Sequence, residues 1–295
     1  MRAGPILLYV IGIAIFCAMD AAMKKLVETN PAVLATFWRY VAALGFAMLF
    51  WLREGRPRIT ADMLPVHLIR GTVIAVSAFL FFWSLTILPL AQAVTIAFIA
   101  PLLIPPIAAL LLGEKMQGGS VVAGIAGFAG VIVAVGVNPD DWSANQLRGV
   151  AAVLVSALTY ALTIVLMRMR AAKDGAALVS VLGTIVPAAV LLGPVLLTVP
   201  ASAIIPKGEA WLWVAAAGAT GAVALQLLAR AYAQAEAQVL APFEYTALGW
   251  AALYGWLFFA EPVSARTWAG AILIAGACLW QAHRARPVPE PTPGV

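Results

Sequence analysis

An internal repeat constrains this chain more than any other feature of its sequence. The first copy covers residues 85–135 and contains a polar turn, a long apolar segment with prolines, a Gly-Glu pair and a glycine-spaced apolar segment. The same order recurs near the C-terminus, where Gln238 corresponds to Gln92 and Glu261 to Glu114, at shifts of 146 and 147 residues. This shift is about half of the 295-residue chain, so the sequence predicts two copies of one structural unit.

The composition predicts that both units lie in a membrane. Of all residues, 63% are hydrophobic and only 11% are charged, and the mean hydropathy is +0.98. Soluble domains carry about 25% charged residues, so a globule of this composition would expose a large apolar surface to water. We therefore read the net charge of +5 as a topology signal, and we expect a lipid bilayer and no nucleic acid as a partner.

Ten apolar segments come close to the roughly 20 residues that a helix needs to cross the hydrocarbon core. The expected fold class is therefore an all-α membrane protein. The predicted transmembrane helices are residues 5–24, 32–52, 66–87, 91–112, 119–136, 148–167, 177–198, 211–230, 239–259 and 265–282.

The distribution of Lys and Arg predicts that both termini are cytoplasmic, because short cytoplasmic loops carry an excess of these residues. Of the 18 Lys and Arg residues, 11 then lie inside and five outside, and Arg39 and Arg70 fall within helices. The inside residues are Arg2, Arg53, Arg56, Arg58, Lys115, Arg168, Arg170, Lys173, Arg230, Arg284 and Arg286. The outside residues are Lys24, Lys25, Arg148, Lys207 and Arg266.

The helix count of each unit predicts opposite orientations for the two copies. Five helices are an odd number, so the second copy enters the membrane from the other side. The predicted arrangement is two inverted five-helix repeats, residues 1–138 and 147–284, around a central cavity, with a disordered tail at 285–295. Folds of this kind expose a midplane site to each side of the membrane in turn.

Several short motifs point to a known family. They are the turn Leu88-Pro89-Leu90-Ala91, the pair Ala100-Pro101 on the fourth helix, the pair Gly113-Glu114 after it, and Trp38-Arg39 on the second helix. Together with the duplicated unit they resemble the drug/metabolite transporter superfamily, in particular its ten-helix EamA-type members. The resemblance implies secondary transport of small metabolites, often export, without fixing a substrate. The second copy lacks the Pro101 equivalent, so we expect the two halves to differ in function.

Three ionisable residues inside apolar segments are candidate functional residues, because charges inside a bilayer are costly. Asp20 is a candidate for coupling or gating, or forms an i,i+4 pair with Lys24. Arg39 either binds a substrate carboxylate or bridges to Asp20. Glu244 lies deep in apolar sequence and is the candidate for proton coupling or for binding an amine; a carboxyl group that only packs helices is the alternative.

The prolines of the fourth helix predict a coupling or gating role for Pro101, Pro105 and Pro106. Proline has no N–H, so it leaves a helical carbonyl without its partner. Such carbonyls are tolerated at membrane depth only inside protein or beside water. We therefore predict that this helix lines the cavity, with a kink for packing as the alternative.

Aromatic and polar side chains complete the predicted site. An apolar pocket with few polar groups suits an aromatic or amphipathic solute, and lipid or core packing is the alternative for each aromatic residue. The candidate substrate-binding residues are Arg39, Trp83, Gln92, Thr95, Tyr160, Glu244, Tyr245 and Tyr254.

Motifs of ATP use, serine nucleophiles and metal binding are absent from the sequence. It contains neither GxxxxGK[ST] nor G-x-S-x-G, and its two histidines, His67 and His283, stand far apart. We therefore expect no enzyme, no cofactor and no metal.

These features predict a bacterial inner-membrane secondary transporter of small organic metabolites. Export of aromatic or hydrophobic amino acids is the favoured activity, protons are a candidate coupling ion, and a monomer or weak homodimer is expected. Uptake or exchange of a larger cationic or nucleoside-like metabolite is an alternative. A lipid-handling membrane protein is the alternative from another class.

Overall fold

The computed structural model describes residues 3–88, 93, 96–116, 118–135, 143–259 and 265–284, and all regular structure in them is helical. Gln92, Thr95 and the tail 285–295, for which the sequence made predictions, lie outside these residues. The longer helices are α1 (Ala3–Val27), α2 (Ala32–Arg53), α3 (Leu64–Ser84), α4 (Ala100–Leu112), α5 (Gly118–Val135), α6 (Ala144–Asp174), α7 (Ala176–Thr198), α8 (Ala210–Gln234), α9 (Ala247–Phe259) and α10 (Ala265–Arg284).

Six of the described helices are long and apolar enough to cross a bilayer: α1, α2, α3, α6, α7 and α8. Two of the remaining predicted spans, 91–112 and 239–259, contain shorter helices, since α4 and α9 have 13 residues each. A helix of that length measures about 20 Å, which is short of the roughly 30 Å hydrocarbon core. Because six described helices can cross a bilayer, the chain is a multi-pass membrane protein, and the regular structure of its described residues is all helical.

Two predicted helices, 91–112 and 239–259, are not continuous α-helices. Helix α4 begins only at Ala100, after a turn at residues 98–99, and Pro101 occupies its first turn. Proline suits that position because its missing N–H would have no helical partner there. Pro105 and Pro106 lie inside α4. The segment before α9 is a one-turn helix, Ala237–Leu240, followed by a 3-10 helix, Ala241–Thr246.

Helices from the N-terminal half, residues 1–138, pack mainly against helices from the C-terminal half, residues 147–284. The principal pairs are α1 with α8, α3 with α6, α2 with both α7 and α8, α3 with α7, and α5 with α10. Gly218 of α8 permits one close approach, since a Cβ atom built there would lie 2.8 Å from backbone atoms of Ala42 and Ala43 in α2. The largest buried cluster likewise draws on both halves, with Tyr9 and Ile104 beside Tyr232.

Candidate functional site

A cavity of about 220 Å³ lies between the two halves of the chain. Its wall is mainly apolar and includes Ile13, Phe81 and Leu228. Side chains from α1, α2, α3, α6, α7, α8 and α9 line it, together with Ala100 and Pro101 in the first turn of α4 and residues of the irregular segments before α4 and α9. A concave apolar site with a few polar groups is the usual form of a small-molecule site.

Six of the residues predicted from sequence line this cavity. They are Asp20, Arg39, Pro101, Tyr160, Glu244 and Tyr254. Four other predicted residues lie outside the cavity wall. Trp83 packs beside a buried hydrophobic cluster that contains Met19, and Tyr245 is buried with its ring centroid 5.7 Å from that of Phe98. Pro105 and Pro106 belong to α4. The cavity wall therefore includes the three predicted ionisable residues but neither Trp83 nor Tyr245.

Glu244 is held in the 3-10 helix by tyrosine hydroxyl groups. Its Oε1 accepts hydrogen bonds from Tyr9 Oη at 2.5 Å and from Tyr160 Oη at 3.0 Å. The hydroxyl oxygens of Tyr9 and Tyr232 are 2.9 Å apart, which extends the network to α8. Because Glu244 is only 7% exposed, these donors supply the polar contacts that water would otherwise provide.

Arg39 projects from α2 toward the cavity and lies beside apolar and aromatic groups. Its Nε is 2.8 Å from Met19 Sδ, and its guanidinium carbon lies 4.2 Å from the centroid of the Tyr40 ring. Among the described residues, no ion pair of 4 Å or less joins Asp20 to Arg39, so the bridge between these two side chains is not formed. Lys24 Nζ lies 4.1 Å from the centroid of the Phe259 ring.

Arg70 of α3 is a cavity residue that the sequence analysis did not single out. It is 2% exposed, donates from Nη1 to the carbonyl of Val179 at 3.2 Å, and lies against Gly183 of α7. A sequence signal did exist, because Arg70 stands inside a predicted transmembrane segment.

Ion pairs join the two halves at one end of the bundle, the end that the sequence predicts to be cytoplasmic. Among the described residues the inter-half ion pairs are Arg168–Glu114 at 3.3 Å, Arg170–Asp62 at 3.0 Å, Lys173–Asp62 at 2.8 Å and Arg230–Glu54 at 2.8 Å. A hydrogen bond of 2.9 Å between His67 Nε2 and Asp174 Oδ2 also joins the two halves. Lys25–Glu28, at the opposite end, is an ion pair within one half. The inter-half contacts thus hold the two halves together at the predicted cytoplasmic end.

Two carboxyl groups at this end, those of Asp62 and Glu114, have pKa values shifted in opposite directions. Hydrogen bonds from Lys173, Thr60 and Arg170 hold the pKa of the Asp62 carboxyl well below its usual range. Burial raises the pKa of the Glu114 carboxyl, and the neighbouring Arg168 opposes that shift. Asp62 therefore stays charged across ordinary assay conditions, whereas Glu114 is the more sensitive of the two to acid.

The described residues contain no group of three or more His, Cys, Asp or Glu side chains that could hold a metal ion. The cavity offers hydrogen bonds, charge and apolar contact to a bound solute.

Comparison with known proteins gives a consistent family. Residues 4–136 and residues 147–281 each match the model of the EamA-like transporter family. A riboflavin transporter from Brucella anthropi is 28% identical over 250 residues, which cover 85% of this chain and 87% of that protein. The pseudopaline exporter CntI from Pseudomonas aeruginosa is 25% identical over 278 residues, or 93% of this chain and 94% of the exporter.

Two further comparisons concern transport direction and fold. An S-adenosylmethionine uptake transporter from Rickettsia felis is 23% identical over 264 residues, covering 89% of this chain and 87% of that protein. The relatives thus include both an exporter and an uptake protein. A protein of known crystal structure superposes with a TM-score of 0.81 at 21% identity, over 97% of this chain and 99% of its own, which shows a shared fold.

Proposed function

The chain belongs to the EamA-like transporter family, and we propose that it is a secondary transporter that moves small organic metabolites through the central cavity by alternating access. The observation that carries the proposal is the cavity itself, an apolar space between the two halves that also contains buried acidic and basic side chains. The proposed location is the bacterial inner membrane with both termini in the cytoplasm, as the Lys and Arg distribution predicts.

The packing of the helices supports two repeats, residues 1–138 and 147–284. The principal helix contacts are preserved when the helices of one repeat are exchanged for those of the other. If each helix is replaced by the one five positions away, the pair α1 with α8 becomes α6 with α3, and both pairs pack extensively. The pair α2 with α8 becomes α7 with α3, and the pairs α2 with α7 and α5 with α10 map onto themselves. An exchange of this kind is what an inverted repeat requires, and it offers two related conformations of one chain.

We propose amino acids, aromatic or hydrophobic ones first, as the substrate class, and export as the direction. Arg39 and Glu244 place opposite charges on the wall of one apolar cavity, where they could meet the carboxylate and the amine of one zwitterion. The size supports a small solute, because about 220 Å³ is less than the roughly 300–1,000 Å³ of pockets for drug-sized ligands.

Efflux from proteoliposomes tests this proposal. Vesicles that contain the purified protein are loaded with labelled phenylalanine, tryptophan or leucine, and release is compared with that from protein-free vesicles. Protein-dependent efflux of at least one of these amino acids is expected. Release that matches the protein-free vesicles for the whole set would remove this substrate class.

Uptake or exchange of a larger cationic or nucleoside-like metabolite is a second candidate, favoured by the relatives named for riboflavin and S-adenosylmethionine. Unlabelled riboflavin and S-adenosylmethionine are added to the same efflux assay as competitors, and labelled forms are tested for uptake. Uptake of either compound, with no efflux of amino acids, would favour the second candidate over the first.

A further inference from the structure

Four cavity-lining residues have a buried polar atom without a hydrogen-bond partner. The atoms are Arg39 Nη1, Tyr40 Oη, Arg70 Nε and Thr163 Oγ1. The residues come from α2, α3 and α6, and each is at most 7% exposed. Buried polar atoms are nearly always paired in native proteins, so four such atoms around one cavity call for a ligand that the cavity normally holds.

All four atoms can donate a hydrogen bond, and two of them belong to cations. A guanidinium group has five N–H donors and no acceptor, while the tyrosine and threonine hydroxyl groups donate and accept. A ligand group that satisfies them together must be rich in acceptor atoms. A carboxylate or a phosphate has that character and also compensates the positive charge.

Arg70 makes the strongest case, because no carboxylate partner is present for it among the described residues. Its contacts are the Val179 carbonyl and, at 3.8 Å, the weak acceptor Met167 Sδ. Asp174, which faces His67 one turn earlier on α3, is already engaged by His67 and by two hydrogen bonds of 2.7 Å from Arg170. Among the described residues, no carboxylate is therefore within ion-pair distance of Arg70, although Asp20 and Glu244 also line the cavity.

The energetic cost of such a residue indicates a role in binding. A buried charge without an ion-pair partner is costly inside a membrane protein, and such charges usually mark functional sites. A purely structural role would be filled equally well by an apolar side chain such as Met. An anionic group that enters the cavity would offset the cost of burying Arg70.

We propose that Arg70, together with Tyr40 and Thr163, forms a subsite for the oxyanion group of the transported solute. The proposal rests on the proposed transport function and narrows its substrate class to solutes that combine an apolar body with a carboxylate or a phosphate. The apolar body packs against the cavity wall, and the oxyanion accepts hydrogen bonds from Arg70 and the two hydroxyl groups.

Binding to purified protein in a neutral maltoside detergent tests the subsite separately from transport. The probes are 3-phenylpropanoate, phenyl phosphate and the uncharged 3-phenylpropanamide, measured by titration calorimetry at constant ionic strength. Wild-type protein is expected to bind at least one of the anions more tightly than the amide. The anion that binds distinguishes a carboxylate site from a phosphate site, and the neutral detergent supplies no lipid phosphate.

Three variants locate the effect. Arg70→Gln is expected to weaken binding of the preferred anion at least about tenfold, which is the loss of a charge-assisted hydrogen bond, and to leave amide binding unchanged. Arg53→Gln removes an equal charge from the exposed end of α2 and is expected to bind like wild type. Tyr40→Phe deletes only the orphan hydroxyl, so it tests the subsite without risk to folding.

The outcomes separate the two proposals. Equal affinity of wild-type protein for the amide and both anions would overturn the subsite, as would unchanged anion binding in both Arg70→Gln and Tyr40→Phe. Efflux in proteoliposomes would in that case still support transport. Conversely, anion-selective binding without flux of any solute would keep the subsite and overturn the transport function.

Discussion

The hydroxyl group of Tyr9 in the N-terminal half donates a hydrogen bond of 2.5 Å to Glu244 Oε1 in the C-terminal half. The bond joins α1 to a 3-10 helix that replaces regular α-helix at membrane depth. Movement of one half against the other would stretch or break it. The state of the Glu244 carboxyl group and the relative position of the halves are therefore linked through one contact.

Substitution of Glu244 tests whether protons drive transport. Glu244→Gln keeps an oxygen that can accept from Tyr9 and Tyr160 but cannot carry a proton, so the fold is expected to persist. Accumulation of labelled substrate driven by an imposed pH gradient is expected to fall to the level without a gradient, while exchange at equal pH continues. Glu28→Gln, on the exposed turn after α1, is the control. Accumulation equal to wild type in Glu244→Gln would exclude this carboxyl group as the proton carrier.

The Tyr9–Glu244 bond is also expected to stabilise the protein. Tyr9→Phe removes a donor from a buried acceptor and is expected to lower the free energy of unfolding by about 1–3 kcal/mol, observed as a lower apparent Tm in detergent. Tyr254→Phe changes a cavity tyrosine for which the described residues show no hydrogen bond, and it serves as the control. In a double-mutant cycle of Tyr9→Phe and Glu244→Gln, additive effects on the free energy of unfolding would contradict a coupling between the two side chains.

Helix contact at Gly218 yields a prediction about packing. Gly218→Ala places a methyl group 2.8 Å from backbone atoms of α2, which cannot rotate away, so a lower Tm and lower yield of folded protein are expected. Gly45→Ala is the matched control: it also lies inside a helix, but nothing stands within 4 Å of its added Cβ. Alanine there is expected to raise stability by up to about 1 kcal/mol. A Gly218→Ala protein as stable as Gly45→Ala would contradict the close approach of α8 and α2.

Much of the fold was predictable because apolar length and charge act locally along the chain. The helices α1, α2 and α8 end within a few residues of the predicted spans. The two breaks, before α4 and before α9, were missed because an apolar run looks the same whether it is one helix or two shorter pieces. Pro101 was visible, but its place at a helix start and not in a helix interior depends on the turn at residues 98–99.

The candidate site was predictable only where a charge interrupts apolar sequence. This rule gave Asp20, Arg39 and Glu244, which share the cavity wall. It does not reveal which face of a helix points inward, so Trp83 was selected although it packs outside the wall. Arg70 was passed over because its burial comes from α7, which is more than 100 residues away in sequence.

The inter-half ion pairs at the predicted cytoplasmic end lead to a prediction of how the cavity opens. Cys17 lines the cavity, so it reports access once Cys278 is replaced by Ser. Glu54→Gln and Glu114→Gln together remove the inter-half pairs to Arg230 and Arg168. Partly exposed pairs are worth about 0.2–1 kcal/mol each, so the loss of both is expected to shift the balance of conformations by about twofold to thirtyfold.

Labelling of Cys17 by a membrane-impermeant thiol reagent measures that shift. In inverted vesicles, where the predicted cytoplasmic end faces the reagent, labelling of the double variant is expected to be faster than in the Cys278→Ser background. In right-side-out vesicles it is expected to be slower, because a cavity that opens to one side closes to the other. Glu28→Gln breaks only a pair within the N-terminal half and is expected to change neither rate. Faster labelling from both sides would indicate a loosened fold and not alternating access, and unchanged labelling from both sides would mean that these ion pairs do not hold the cytoplasmic end closed.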